Sequence, residues 1–269
     1  MRMPGDIALH YLDEGDPKGA PVVFLHALGT DLHLWDAVLP LLPAGLRLIR
    51  VDLRGHGRSP CPEGDYYMGD LVADVAAVLD LLKVRDAVVV GVSMGGMVAQ
   101  GLAAERLDLV RALVLSNTAA KISTAQIWQE RMEKVRQGGM AAMAEPTLAR
   151  WFPPGFRGDP AFAVRRERLL STPVDGHLGC CAAIAETDLY ESTARLRLPT
   201  LVIAGTEDGS TPPDLVRSMS DLIAGSRFEL VPGAGHLPCI EAADHMAVTI
   251  RNFIEETNRD QTESDQRNP

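Results

Sequence analysis

No stretch of the 269-residue chain is apolar for long enough to span a bilayer as a helix, so no membrane partner is expected. The first residues, Met1-Arg2-Met3-Pro4-Gly5-Asp6, lack the apolar run of a secretory signal, and a cytoplasmic location is expected. Positive charge is in deficit. With 26 Lys and Arg against 36 Asp and Glu, the formal net charge is −10. An acidic surface argues against nucleic acid or an anionic membrane as the main partner. Cysteine is scarce: Cys61, Cys180, Cys181 and Cys239, none in a C-x-x-C pair. That pattern is neither a zinc site nor a disulfide framework, and the four read as reduced apolar fillers. There is no H-E-x-x-H, no P-loop and no dinucleotide fingerprint, so neither a metal nor a cofactor is called for. Internal repeats and low-complexity linkers are absent as well.

What is present is ordinary for a soluble globular enzyme, with 46% hydrophobic and 23% charged residues. The length allows one large core, or a core with a lid. Strands are expected at Ile7–Tyr11, Pro21–Leu25, Leu46–Val51, Val88–Val90 and Arg111–Asn117, and again at Thr200–Ala204 and Arg227–Val231. Asp13–Gly19 reads as a turn cluster. Helices are expected near Leu34–Leu41, over Asp70–Leu82, from Met97 to Glu105, over Pro213–Ile223 and over Ala242–Glu256. Between Thr118 and Thr193 no strand is convincing. Short helices broken by Gly138-Gly139, Pro146, Pro153-Pro154 and Pro173 fit better, with Ser123 and Asp175 as caps. Alternating strands and helices mean an α/β fold, a mostly parallel sheet with helices on both faces. The domain reading is a core over 1–118, a helical cap over 119–193, the rest of the core over 194–257 and a disordered polar tail over 258–269.

The chemistry centres on Gly91-Val92-Ser93-Met94-Gly95-Gly96, with an apolar strand before it and a small-residue helix after it. This is the G-x-S-x-G nucleophile elbow, which exposes the serine hydroxyl at a strand-to-helix turn. A serine needs a base. Of seven histidines, His236 follows a late strand through Pro232-Gly233-Ala234-Gly235 and can reach back to the elbow. His26 reads as a loop-holding residue and His177 as a surface or helix-packing residue. Asp208 follows Thr200–Ala204 and is the candidate to orient the base, with Glu207 as its rival and Asp214 as a helix-capping residue. The order Ser93, Asp208, His236 is that of α/β-hydrolases. The backbone N–H groups of Leu28 and Met94 are the candidate oxyanion hole. Ser59, in the turn Arg54–Ser59, lacks a strand-to-helix junction and reads as structural.

From end to end, apart from the tail, the chain resembles an α/β-hydrolase. More closely, it is similar to the 3-oxoadipate enol-lactonases. The matching segments are Leu28-Gly29-Thr30-Asp31-Leu32 with Trp35, Asp52-x-Arg54-Gly-His-Gly-x-Ser59, the elbow, Leu115-Ser-Asn-Thr-Ala-Ala120, Trp128-x-x-Arg131 and Pro199-Thr-Leu-Val-Ile-Ala-Gly205. His26-Ala27 departs from the wider superfamily, where glycine is common at the second position. The resemblance implies a serine hydrolase that opens 3-oxoadipate enol-lactone to 3-oxoadipate through an acyl-enzyme, in aromatic (protocatechuate or catechol) catabolism. Its partner would be a small anionic lactone. An anion in an acidic protein needs a local cation, and Arg131 is the candidate, with Trp128 walling the pocket. The spacing i, i+3 puts both on one helical face. Other readings are a broad carboxylesterase or perhydrolase, which would not need Arg131, a hydrolase of carbon–carbon bonds, and a hydrolase-fold ligand receptor. The intact serine, aspartate and histidine speak against a purely passive binder.

Overall fold

The computed structural model describes the backbone of residues 7–267 and the side chains of residues 7–258. Seven strands make one sheet: β1 (Tyr11–Gly15), β2 (Ala20–Leu25), β3 (Leu46–Val51), β4 (Ala87–Val92), β5 (Val110–Ser116), β6 (Thr200–Gly205) and β7 (Arg227–Val231). Their order across the sheet is β1-β3-β2-β4-β5-β6-β7. β1 lies antiparallel to β3, and every other pair is parallel. The helices are α1 (Met68–Leu81), α2 (Met94–Glu105), α3 (Ala125–Gly138), α4 (Ala141–Trp151), α5 (Pro160–Ser171), α6 (Val174–Glu186), α7 (Tyr190–Ala194), α8 (Pro213–Leu222), α9 (Pro238–Glu241) and α10 (Ala243–Arg267).

Side chains alternate across a strand, so each buried strand feeds two cores. Val23, Leu25 and Val89 join one core, with Leu71 and Val75 of α1, Met97 and Val98 of α2 and Val216 of α8. Val22, Phe24, Val88 and Val90 join the other, with Trp35, Val38 and the α10 residues Met246, Ile250 and Phe253. All six residues of β4 are buried. Covered on both faces, it reads as a continuous apolar run rather than an alternating one. That strand delivers the elbow to the carboxyl edge of the sheet, under α3–α6.

Several local expectations are corrected. The first strand is Tyr11–Gly15, not Ile7–Tyr11, and it absorbs Asp13, Glu14 and Gly15 of the expected turn cluster. Its acidic residues pair with β3: Asp13 with Arg47 at 2.7 Å and Glu14 with Arg50 at 2.6 Å. These cross-strand pairs compensate for the polarity of the segment. The helix expected near Leu34–Leu41 is two separate 3-10 turns, Leu32–Trp35 and Leu39–Leu41, the second carrying Pro40 in its first positions. Ser123 is not a cap. It adopts φ +64°, and Thr124 caps α3 instead. Asp175 sits inside the first turn of α6 rather than at its cap, which Pro173 occupies. Asp214 likewise lies in the first turn of α8, capped by Pro212. The segment over 119–193 is helical and strand-free, yet α7 packs on the core helices α2 and α8, so the roof of the site ends with α6. The tail expected to be disordered over 258–269 continues α10 to Arg267; residues 268 and 269 lie outside the described residues. No glycine or proline interrupts 243–267, and Glu, Gln and Arg are good helix formers.

Candidate active site

The elbow is tight because its glycines touch backbone. A Cβ on Gly91 would lie 2.4 Å from Gly95 O, and one on Gly95 would lie 2.4 Å from Leu25 O. Between them Ser93 adopts φ 55° and ψ −118°, a conformation that a side chain disfavours. Its N–H donates to Ser116 O at 3.0 Å, and its carbonyl accepts from Thr118 Oγ1 at 2.7 Å. The strained residue is thus fixed from both sides of its backbone. Met94 opens α2, so its N–H has no helical acceptor.

The loop after β7 carries His236, buried at 2% exposure. Its Nδ1–H donates to Asp208 Oδ2 at 2.8 Å, which leaves Nε2 as the basic nitrogen. Asp208 is heavily supplied with donors. Oδ1 accepts from Ser210 N at 2.7 Å and Thr211 N at 3.0 Å, while Oδ2 also accepts from Thr211 Oγ1 at 2.7 Å and Asn117 Nδ2 at 2.8 Å. Burial by itself would push the Asp208 carboxyl up. The charge of His236 and the donors from His236, Asn117 and Thr211 outweigh burial and hold it below the usual carboxylate range. Glu207, the rival, is exposed and points no carboxylate at His236.

The loop after β2 carries Leu28. Gly29 N–H donates to His56 Nε2 at 2.9 Å, and Leu53 N–H donates to His26 Nε2 at 2.9 Å. The Nδ1 atoms face Ala27 O at 2.8 Å for His26 and Arg54 O at 3.2 Å for His56. Both rings therefore stay neutral, and burial with the neighbouring His26 pushes His56 down to about 3. This clamp holds the loop while leaving Leu28 N–H, like Met94 N–H, without an acceptor among the described residues. His26 holds a loop, as expected. Ser59 is structural: its hydroxyl donates to Asp52 O and accepts from His10 N at 2.8 Å. His177 is a buried packing residue of α6 rather than a surface one, and neither of its ring nitrogens has a partner.

Leu28, Ser93 and His236 line one cavity of about 260 Å³, roofed by Trp128 and Arg131 of α3, Met143, Arg150 and Trp151 of α4, and Ile184 of α6. Trp128 Nε1 donates to Ile122 O at 2.6 Å, which fixes the indole as a wall. Arg131 stacks over that indole at 5.4 Å and donates from Nη2 to Thr147 Oγ1 at 3.2 Å. Its Nε is buried with no partner. Burial pushes its guanidinium below the ordinary range, and the like charge of Arg150 adds to that. The structure thus brings together every residue singled out from the sequence: Ser93, Asp208 and His236, Leu28 and Met94, Trp128 and Arg131.

Other residues of the site have no role assigned from the sequence, although Asn117 lies in the Leu115–Ala120 segment that carries the resemblance. Asn117 takes φ 49° just past β5 and donates to Asp208 and, at 3.1 Å, to Gly235 O. An asparagine that ends a strand at the carboxyl edge was a usable signal, since it tolerates the left-handed region. Trp151 stacks on His236, with centroids 6.4 Å apart, and its carbonyl accepts from His236 N at 2.7 Å. Glu241 accepts from Gly235 N at 2.8 Å and Leu237 N at 3.2 Å, bracketing His236; burial pushes its carboxyl up to about 7. Nothing local in the sequence marks it. Among the described residues no group of His, Cys, Asp and Glu is arranged to hold a metal ion, and all four cysteines are free.

Comparison with known proteins identifies the fold. A family profile for the alpha/beta hydrolase fold matches residues 20–243. The chain is 35% identical to 3-oxoadipate enol-lactonase 2 of Acinetobacter baylyi over 238 residues, covering 88% of this chain and 89% of that one. Among solved structures it is similar to the enol-lactonase from Burkholderia xenovorans, at 34% identity and a TM-score of 0.89, covering 93% of this chain and 97% of that one. A thermophilic esterase from Thermogutta terrifontis, solved with malate bound, matches at 30% identity and a TM-score of 0.89, covering 95% of this chain and 96% of that one. With a serine on a strained strand-to-helix turn, an aspartate and a histidine on the loops after later strands, and a profile match over most of its length, the chain belongs to the α/β-hydrolase family.

Proposed function

We propose that the protein is a serine hydrolase that opens 3-oxoadipate enol-lactone to 3-oxoadipate, serving aromatic catabolism. The observation that carries this reading is one cavity holding Ser93, His236 and a half-buried arginine, Arg131, with no carboxylate partner among the described residues. An enol-lactonase substrate bears a free carboxylate besides its ester, which is what an unpaired cation beside a nucleophile suits. The resemblance to two enol-lactonases supports the choice, and the malate-bound esterase is a relative described with a carboxylate-bearing ligand.

In this reading His236 Nε2 takes the Ser93 hydroxyl proton as Oγ attacks the lactone carbonyl. The N–H groups of Leu28 and Met94 hold the oxyanion. The ring C–O bond then breaks, His236 returns the proton, and the enol tautomerises to a ketone. His236 next activates water, whose attack on the acyl-enzyme releases the acid. Asp208 holds the imidazole in the tautomer that these steps need. Arg131 holds the carboxylate that takes no part in bond making.

The test pairs two substrates and one variant. The protein should open the enol-lactone with a higher kcat/KM than it hydrolyses a neutral nitrophenyl ester. Ser93→Ala should lose on the order of 10⁶-fold on both, as removing one member of a triad does in a comparable serine hydrolase. Preference for the neutral ester would favour a broad carboxylesterase. Full activity in Ser93→Ala would remove the nucleophile assignment.

A further inference from the structure

The roof of the cavity carries more positive charge than one substrate carboxylate contact accounts for. Three cations, Arg131, Lys134 and Arg150, line it against one carboxylate, Glu130, in a chain whose net charge is −10. Lys134 and Glu130 are exposed, and Glu130 accepts from Gln126 at 3.1 Å. The two arginines are different. No acidic side chain pairs with either among the described residues, and each guanidinium is held below its ordinary range by burial. Both line the same cavity, where the charge of Arg150 disfavours that of Arg131.

Two half-buried, partly desolvated like charges without counter-ions are a costly arrangement unless something from outside neutralises them. Arg150 is not placed loosely. Its carbonyl accepts from Gly209 N at 3.0 Å, next to Asp208, and the next carbonyl, that of Trp151, accepts from His236 N at 2.7 Å. The backbone that positions Arg150 is therefore tied to both the acid and the base of the triad.

We propose that Arg150 is a second carboxylate-binding residue and that Arg131 and Arg150 clasp one carboxylate between them, tuning the site to short aliphatic dicarboxylates and their half-esters. Two guanidinium groups on one carboxylate occupy both its oxygens, so the discrimination against a neutral isostere is steeper than a single arginine gives. The subsite deepens the enol-lactone reading and rests on its placing of the cleaved ester at Ser93. The subsite itself can be read by binding alone.

The first measurement is calorimetric titration of the full chain with adipate and with butyrate, which carry two carboxylates and one. Adipate should bind more tightly. Arg150→Gln should weaken adipate by about 10–150-fold, the span for one charge-assisted contact. Arg150→Lys should recover part of the loss, since it restores the charge without the fork. The second measurement compares monomethyl adipate with dimethyl adipate, which differ by one charge. The ratio of their kcat/KM values should fall at least about tenfold in Arg150→Gln. In the double variant with Arg131→Gln the loss should be smaller than the product of the single losses, because both act on one carboxylate. Wild-type adipate affinity in Arg150→Gln, or equal losses on the two esters, would overturn the proposal and leave Arg150 a structural residue. Tight adipate binding that depends on Arg150, with no enol-lactone turnover, would keep the subsite and remove the enol-lactone reading.

Discussion

Two kinds of charge meet at the site, one buried beneath the floor of the cavity and one on its roof, and the fold treats them in opposite ways. Beneath the floor, Asp208 receives donors from Ser210, Thr211, Asn117 and His236 and is held ionised despite its burial. On the roof, Arg131 keeps a buried Nε with no acceptor, and no carboxylate answers either it or Arg150 among the described residues. A charge that the chain neutralises can be held through a whole catalytic cycle. A charge that it leaves open costs stability in the empty protein and gains its partner only when a ligand arrives. In the proposed reading, the contrast separates the machinery of bond cleavage from the recognition of what is cleaved.

Breaking the floor should have the largest effect. Asp208→Asn removes the acceptor that sets the tautomer of His236, and kcat should fall by about 10⁴-fold, the precedent for the same change in a serine protease. Glu207→Gln, on an exposed neighbour, should cost far less. Steady-state kinetics on a nitrophenyl ester read both, and a larger loss in Glu207→Gln would reverse the assignment of the carboxylate.

Breaking the roof should cost less and be selective. Arg131→Ala should lower kcat/KM for the anionic enol-lactone relative to a neutral ester by about 10–150-fold. Arg131→Lys should return part of it. Equal losses on both substrates would make Arg131 a residue that holds the roof together.

The side wall tests whether positioning is separable from charge. His56→Ala leaves the Gly29 N–H buried without its acceptor, which should cost about 1–3 kcal/mol in urea unfolding. An unchanged midpoint would mean that the loop after β2 is held without His56.

The smallest effect belongs to Glu241. Its carboxyl is raised by burial from 4.5 to about 7. The protonated form is therefore the favoured one in the folded state, and its contribution is fully present below pH 4.5 and lost as pH rises through about 7. Glu241→Gln cannot ionise. Its Tm relative to wild type should climb between pH 5 and pH 8, and a constant difference would mean that Glu241 does not titrate in that window.

Most of the core was legible because its signals are short-range. The apolar run ending at Val90, the glycines around Ser93 and the strand before Asp208 each announce their geometry within a few residues. Asp208 and His236 follow from their places after strands, even though 28 positions separate them. What stayed hidden depends on residues far apart in the chain. Arg150 is meaningful only because Gly209 and His236 hold its helix end, and Glu241 only because its carboxylate turns back onto the peptide groups beside His236. The edge strand was misplaced by four residues because its stabilising partners, Arg47 and Arg50, arrive from β3. In the polar tail, composition marks poor burial but does not by itself stop a helix.

The carbonyls at the end of α4 have a consequence for anyone who would exchange roofs between members of this family. Because Arg150 O and Trp151 O accept from Gly209 and His236, the last two residues of α4 are fastened to the loops that carry Asp208 and His236. A graft that replaces α3 and the start of α4 leaves these two hydrogen bonds in place. One that crosses Arg150 or Trp151 removes the contacts that hold the loops of Asp208 and His236. The productive seam for recombination therefore lies before Arg150.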